Sequence, residues 1–138
     1  MRIEKRLEEF EGLIKELVHL SDTMAVIVEG RKDERALREL GVKGEIVRLN
    51  KGESIFGTCE RLSRDHKKVI LMTDWDREGG HLGKLLRDGL EANGVQYDGN
   101  IRARLAVLTK KDIKDVESLA KQLARLRREA SSGVRGFE

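Results

Sequence analysis

Two acidic turns hold the residues best suited to chemistry. The first is Val26-Ile27-Val28-Glu29-Gly30, an apolar run ending in a carboxylate and a glycine. The second follows the apolar run Val69-Ile70-Leu71-Met72 and reads Thr73-Asp74-Trp75-Asp76-Arg77-Glu78-Gly79-Gly80. Side chains alternate along an extended chain, so Asp74 and Asp76 share one side if the loop stays extended, with Trp75 on the other. Converging carboxylates repel one another unless they are protonated or bridged by a cation. Hard divalent cations favour oxygen ligands, and Mg²⁺ takes one or two carboxylates while keeping several waters. The expected metal set is Asp74, Asp76 and Glu29, with Mg²⁺ or Mn²⁺ as the ion. Taken singly these signals are weak. Asp-x-Asp is common on surface loops, and Glu29 also suits a surface carboxylate or a helix cap. The apolar run before each turn is what argues for a shared site.

Those runs must be strands whose carboxyl ends open on one crevice. Glu29 and Asp74 lie 45 positions apart, so they meet only if the first and third strands are neighbours. A right-handed crossover that skips the second strand permits this. Strands are expected at about 24–28, 45–49, 68–73 and 102–108. Helices are expected at about 2–20, from Asp33 to Leu40, at 54–65, 80–92 and 113–129. Gly41 and Asn93-Gly94 read as helix stops. The alternation implies an α/β fold, a mainly parallel sheet of about four strands with helices on both faces.

The first helix carries Ile3, Leu7, Phe10, Ile14 and Leu17, a four-three stripe. Packing on the sheet is the first reading, although the same four-three spacing is also that of a homodimer seam. The expected division is 1–22 for this helix, 23–130 for the domain and 131–138 for a flexible tail.

Arg31 and Lys32 follow the first turn and Arg77 the second. Each is placed to meet phosphate beside the metal, or to pair with Asp33, Glu34 or Glu78 on a solvated surface. Lys110 and Lys111, after the expected fourth strand, have the same two readings. Gly30 and Gly79 let backbone approach a phosphate. Lys114, Lys121, Arg125 and Arg128 form a basic stripe on the expected last helix, fit for a phosphate backbone or a plain solvated face. His19, His66 and His81 are scattered. Cys59 reads as a small core residue.

Composition narrows the classes. With 28 basic and 25 acidic residues the net charge is only +3, so the distribution of charge matters more than its sum. One cysteine excludes an intramolecular disulfide and a cysteine-based zinc site. Aromatics at 4% argue against a base-stacking platform. No apolar run nears the roughly 18 residues of a membrane span, and Met1-Arg2-Ile3-Glu4-Lys5-Arg6 lacks a signal peptide's apolar core. A cytoplasmic protein of one domain is the expectation. The abundance of Glu, Lys and Arg points toward a thermophile, and the absence of proline points away.

Val28-Glu29-Gly30, with Asp33 three residues on, and then strand-Thr73-Asp74-Trp75-Asp76 with Gly79, resemble the Toprim domain family. That family includes topoisomerases, bacterial primases, OLD-type nucleases, the RecR repair protein and the nuclease that matures 5S ribosomal RNA. The resemblance covers about residues 23–120, and Lys111 to Glu117 is similar to a Lys-Asp-rich segment of small Toprim nucleases. The whole chain looks most like the small stand-alone Toprim proteins of archaea. The resemblance implies a Toprim (Rossmann-like) fold, Mg²⁺ on Asp74 and Asp76, and Glu29 as a metal ligand or catalytic acid/base. It implies a nuclease or phosphotransfer module acting on nucleic acid, with RNA slightly ahead of DNA.

The only tyrosine, Tyr97, lies in a turn-like segment, which argues against a topoisomerase nucleophile. The chain also has no room for a primase's further domains. A non-catalytic RNA- or DNA-binding protein, or a subunit with a protein partner, is the alternative. A receiver-like or phosphatase domain fits less well, because those folds place paired acids after the first strand.

Overall fold

The β-branched and apolar runs around the two acidic turns form the centre of a sheet in the computed structural model, which describes residues 1–132. β1 (Ala25–Val28) is buried along its whole length and β3 (Lys68–Leu71) over all but its first residue. They pair in parallel, with Ala25 opposite Val69 and Ile27 opposite Leu71. β2 (Ile46–Arg48) pairs with β1 and β4 (Gln96–Asp98) with β3, both parallel. The order is β2-β1-β3-β4, so the crossover from β2 does bring β3 beside β1.

Strand residues alternate between two apolar clusters, as period two requires. Val26, Val28, Ile70 and Met72 face α1 (Ile3–Leu20), α2 (Arg31–Glu39), α5 (Asn100–Thr109) and α6 (Leu119–Ser131). Ala25, Ile27, Val69 and Leu71 face α3 (Ile55–Asp65) and α4 (Arg77–Ala92). The α1 stripe, with Phe10 and Leu17 fully buried, packs on α5 and α6 within the chain's own core.

Two helices stop in the same way. Gly41 (φ 109°) and Gly94 (φ 72°) adopt left-handed backbone after α2 and α4. The next amide reaches back to the helix, Val42 to Leu37 O at 3.1 Å and Val95 to Leu90 O at 2.9 Å. Each such pair of residues is buried in one cluster, completing a Schellman closure.

Two expected elements are corrected. Residues 102–108 form the body of α5, not a strand. The buried positions Ile101, Leu105 and Thr109 recur every four residues, although Arg102-Ala103-Arg104-Leu105 also reads as alternation. The fourth strand is Gln96–Asp98, containing Tyr97, in the segment that reads as a turn. Gln96 is exposed and Tyr97 and Asp98 are half-buried, and one ring packed on the second cluster is too little apolar pattern to mark a strand. The last helix starts at Leu119 rather than 113, because residues 112–118 form an irregular strap across the sheet's end. Lys114 therefore lies off α6 and the expected basic stripe is broken. Arg125 is also engaged, by Asp112 and Glu129. Of the expected tail, Ser131 ends α6, and residues 133–138 lie outside the described residues.

Candidate metal centre

The chain leaves β1 toward β2 through α2, and leaves β3 toward β4 through α4. The connections diverge between β1 and β3, where an α/β sheet opens its ligand crevice. Glu29 and Asp74 emerge there. The Asp74 backbone N–H donates to Glu29 Oε2 at 2.8 Å. The Asp74 carboxylate accepts at Oδ1 from the Val116 N–H of the strap, at 2.9 Å. Asp76 is the N-cap of α4 and accepts at Oδ1 from the Gly79 N–H at 2.7 Å. The positive end of the α4 dipole thus supports negative charge at this edge.

The supporting shell is tight. A side chain on Gly79 would overlap the Asp74 carbonyl, so the turn needs glycine there. Buried Thr73 donates through Oγ1 to the Gly79 carbonyl at 3.0 Å. β4 pairs no further along β3 than Ile70, so the Thr73 and Asp74 carbonyls lie beyond that pairing. Arg102 of α5 takes them instead. Its Nε donates to Thr73 O and its Nη2 to Asp74 O, both at 2.6 Å. On the other side, Trp75 donates from its backbone to Lys114 O at 2.8 Å and from Nε1 to Ile113 O at 3.0 Å. Arg102 and the strap are missed by sequence reasoning. Arg102 falls in a segment read as strand, and backbone carbonyls on a strap leave no residue pattern.

Burial and crowding set the electrostatics. Burial first, then repulsion from Glu29, Asp33 and Asp115, together raise the Asp74 pKa to about 7 against the lowering effect of the Val116 N–H. Burial likewise raises Glu29, opposed by the Asp74 N–H and reinforced by Asp33, Asp76 and Glu78. Asp33 is buried and caps the start of α2 by accepting from the Gly30 N–H at 3.0 Å, with the Glu117 backbone nearby also favouring its charged form. Burial raises its pKa too, with Glu117 and Asp115 adding repulsion.

The donor set fits a hard cation. Among the described residues, Glu29, Asp74 and Asp76 each give one oxygen to a backbone N–H and keep the other free of a protein hydrogen bond. A cation would relieve the repulsion that raises Glu29 and Asp74. The side chains do not form a closed cage: among the described residues, no three His, Cys, Asp or Glu groups are placed to hold an ion. An ion that retains water suits such a set better than one needing only protein ligands.

The expected basic residues divide. Arg31, Lys32 and Arg77 are exposed beside the acids at the starts of α2 and α4. None forms an ion pair among the described residues, and Glu34 pairs with Arg38 and Arg48 instead. Lys110 and Lys111 follow a helix. They line a hollow between α1 and α5 with Arg6 and Val107, and no acid of the candidate centre lines it. His81 is exposed and Cys59 is buried against α4.

A family model for the Toprim domain matches residues 24–108, from the approach to β1 almost to the end of α5. The chain belongs to the Toprim domain family. The strap and α6 lie beyond the matched Toprim segment, although Val116 bonds directly to Asp74. The UPF0292 protein of Methanosarcina barkeri is 38% identical over 124 residues, covering 89% of this chain and 86% of that protein. The UPF0292 protein of Pyrococcus abyssi is 38% identical over 110 residues, covering 80% of each. A solved structure described as a putative protein from Aquifex aeolicus aligns with a TM-score of 0.66 at 28% identity, covering 78% of this chain and 94% of that one. Toprim membership implies a metal-dependent, nucleic-acid-processing role in general, and Toprim domains generally bind Mg²⁺. The names of the UPF0292 relatives add no specific function. Among the described residues no helix is long and apolar enough to cross a membrane.

Proposed function

We propose that this protein is a Mg²⁺-dependent phosphoryl-transfer module that cleaves nucleic acid. The observation that carries the reading is the pairing of Glu29 and Asp74 at the β1/β3 divergence. Each is half-buried, fixed by a backbone amide and left with one oxygen free. In this reading Asp74 and Asp76 hold the cation, with Glu29 as third ligand or as the acid/base group. The bound ion would polarise a phosphoryl oxygen and steady the charge on attacking and leaving oxygens. Glu29 then moves a proton at its free Oε1, and its raised pKa brings it closer to working pH. Arg31, Lys32 and Arg77 meet the neighbouring phosphates, and Gly30 and Gly79 allow backbone close to them. Lys110 and Lys111, beside α1, serve a longer substrate and not the reacting phosphate. RNA is the first substrate class to test, because the motif set resembles that of the 5S ribosomal RNA nuclease.

The test is Mg²⁺- or Mn²⁺-dependent cleavage of structured RNA, single-stranded DNA and duplex DNA. Cleavage lost in Asp74→Ala/Asp76→Ala and in Glu29→Gln, with binding retained in the latter, is the expected result. Cleavage that survives the double substitution removes the metal assignment. A second reading is non-catalytic nucleic-acid binding, favoured by the open arrangement of the acids. It predicts no cleavage by wild type, and binding unchanged or tighter once Asp74 and Asp76 are neutralised.

A further inference from the structure

The basic residues regroup across two helices in a way their order in the chain does not suggest. On α2, Lys32, Arg35, Ala36 and Glu39 lie at helical spacings of three, four and seven, on one face. Opposite them stand Ala120 and Lys121, in the first turn of α6. The two faces enclose a groove of about 250 Å³. Ala36 and Ala120 are small, and the long stems of Lys32, Arg35 and Lys121 rise around them. All three cations are exposed, and none forms an ion pair among the described residues. Two acids, Glu39 and Glu117, also line the groove, but neither comes within ion-pair distance of the cations. Like charges facing one another across so small a space repel, and an anion between them removes the repulsion.

The groove also has a direction. Lys32 and Glu117 are the chain neighbours of Asp33 and Val116; the Glu117 backbone lies near enough to Asp33 to favour its charged form, and the Val116 amide donates to Asp74. One end of the groove therefore abuts the acidic centre.

We propose that the α2–α6 groove holds the phosphodiester backbone of a nucleic-acid strand as it leaves the acidic centre, with Lys32 and Arg35 on one side and Lys121 on the other. This rests on the reading of the chain as a nucleic-acid-acting protein but does not depend on cleavage. Recognition is by charge, because no aromatic side chain lines the groove to stack on a base.

The experiment compares three proteins for binding a fluorescein-labelled single-stranded RNA and the matching DNA over a series of salt concentrations. They are the wild type, Arg35→Ala/Lys121→Ala and the control Lys67→Ala/Lys68→Ala. The control removes the same charge at the opposite end of the sheet, where Lys68 begins β3. The groove variant should bind about tenfold or more weakly. The slope of log affinity on log salt should shrink by about 1.4, two phosphate contacts at roughly 0.7 each. The control should match wild type. Equal affinity and slope in the groove variant, an equal loss in the control, or no binding by wild type at low salt would each overturn the proposal. Parallel cleavage assays separate it from the catalytic reading. Binding that depends on the groove without any cleavage removes the nuclease and leaves the groove. Cleavage with a groove-independent salt slope does the reverse.

Discussion

Arg102 shows how a single residue can set a site it does not enter. It spends two donors on the carbonyls of Thr73 and Asp74, beyond the pairing of β3 with β4. Its charge also lies near Asp74, Glu29 and Asp76. Arg102→Gln should cost about 1–3 kcal/mol in urea unfolding, since half-buried carbonyls lose their donors. It should also weaken Mn²⁺ binding by letting the Asp74 backbone move. Arg102→Lys should restore little of either, because lysine's donors radiate from one nitrogen and lack the planar fork whose Nε and Nη2 reach the two carbonyls. Full rescue by lysine would mean that charge alone matters. The acids were legible in the sequence because each follows a four-residue apolar run. Arg102 was not, because its partners are backbone atoms from a distant turn. Asp33 is legible as a helix-start acid and as the acid after the Glu-Gly turn; its burial next to Glu117 depends on the strap.

At the scale of elements, the turn from β3 into α4 is the most constrained. Gly79 and Gly80 are adjacent in sequence but not equivalent. A Cβ at Gly79 runs into the Asp74 carbonyl, whereas one at Gly80 meets nothing within 4 Å. Gly79→Ala should destabilise by about 1–3 kcal/mol through forced backbone shift. Gly80→Ala should stabilise by up to about 1 kcal/mol through helix propensity. Denaturant melts of the two variants check the contrast, and similar values would refute the tight packing. The same scale explains which elements could be read in advance. β1 and β3 are buried runs with one interpretation, and the glycine stops of α2 and α4 are chemically specific. β4 is three residues of which Tyr97 alone packs on the core, recognisable only by its partner, and α5 has a pattern that fits both periods. The start of α6 was misplaced because residues 112–118 contact the acidic turn rather than continue the helix.

For the molecule as a whole, the acidic centre should leave a mark on stability. A carboxyl with a folded pKa above its unfolded value holds its proton more tightly when folded. Its contribution therefore falls as pH rises from about 4 through about 7 for Asp74. Glu29 and Asp33 have the same sign. His66, raised mainly by its hydrogen bond to Glu45, also loses its contribution as pH rises through its folded pKa. Without metal, the melting temperature should therefore decline between pH 5 and pH 8, and Asp74→Asn should flatten part of that decline. Mg²⁺ should raise the melting temperature more at pH 8 than at pH 5, because it binds the ionised form. Thermal scans with and without EDTA test both, and a metal-free profile that rises over this range would contradict the picture. Acids lowered by their partners, Glu53 and Asp112, act only at more acidic pH. The outer strands have a separate consequence. β2 and β4 are three residues each, and β4 ends in Asp98 just before the chain turns into α5. Edges this short, one closing on Arg48 and the other on Asp98, offer little template for another chain's backbone to extend the sheet. Fibrillar self-association through these edges should therefore be disfavoured even in concentrated solution.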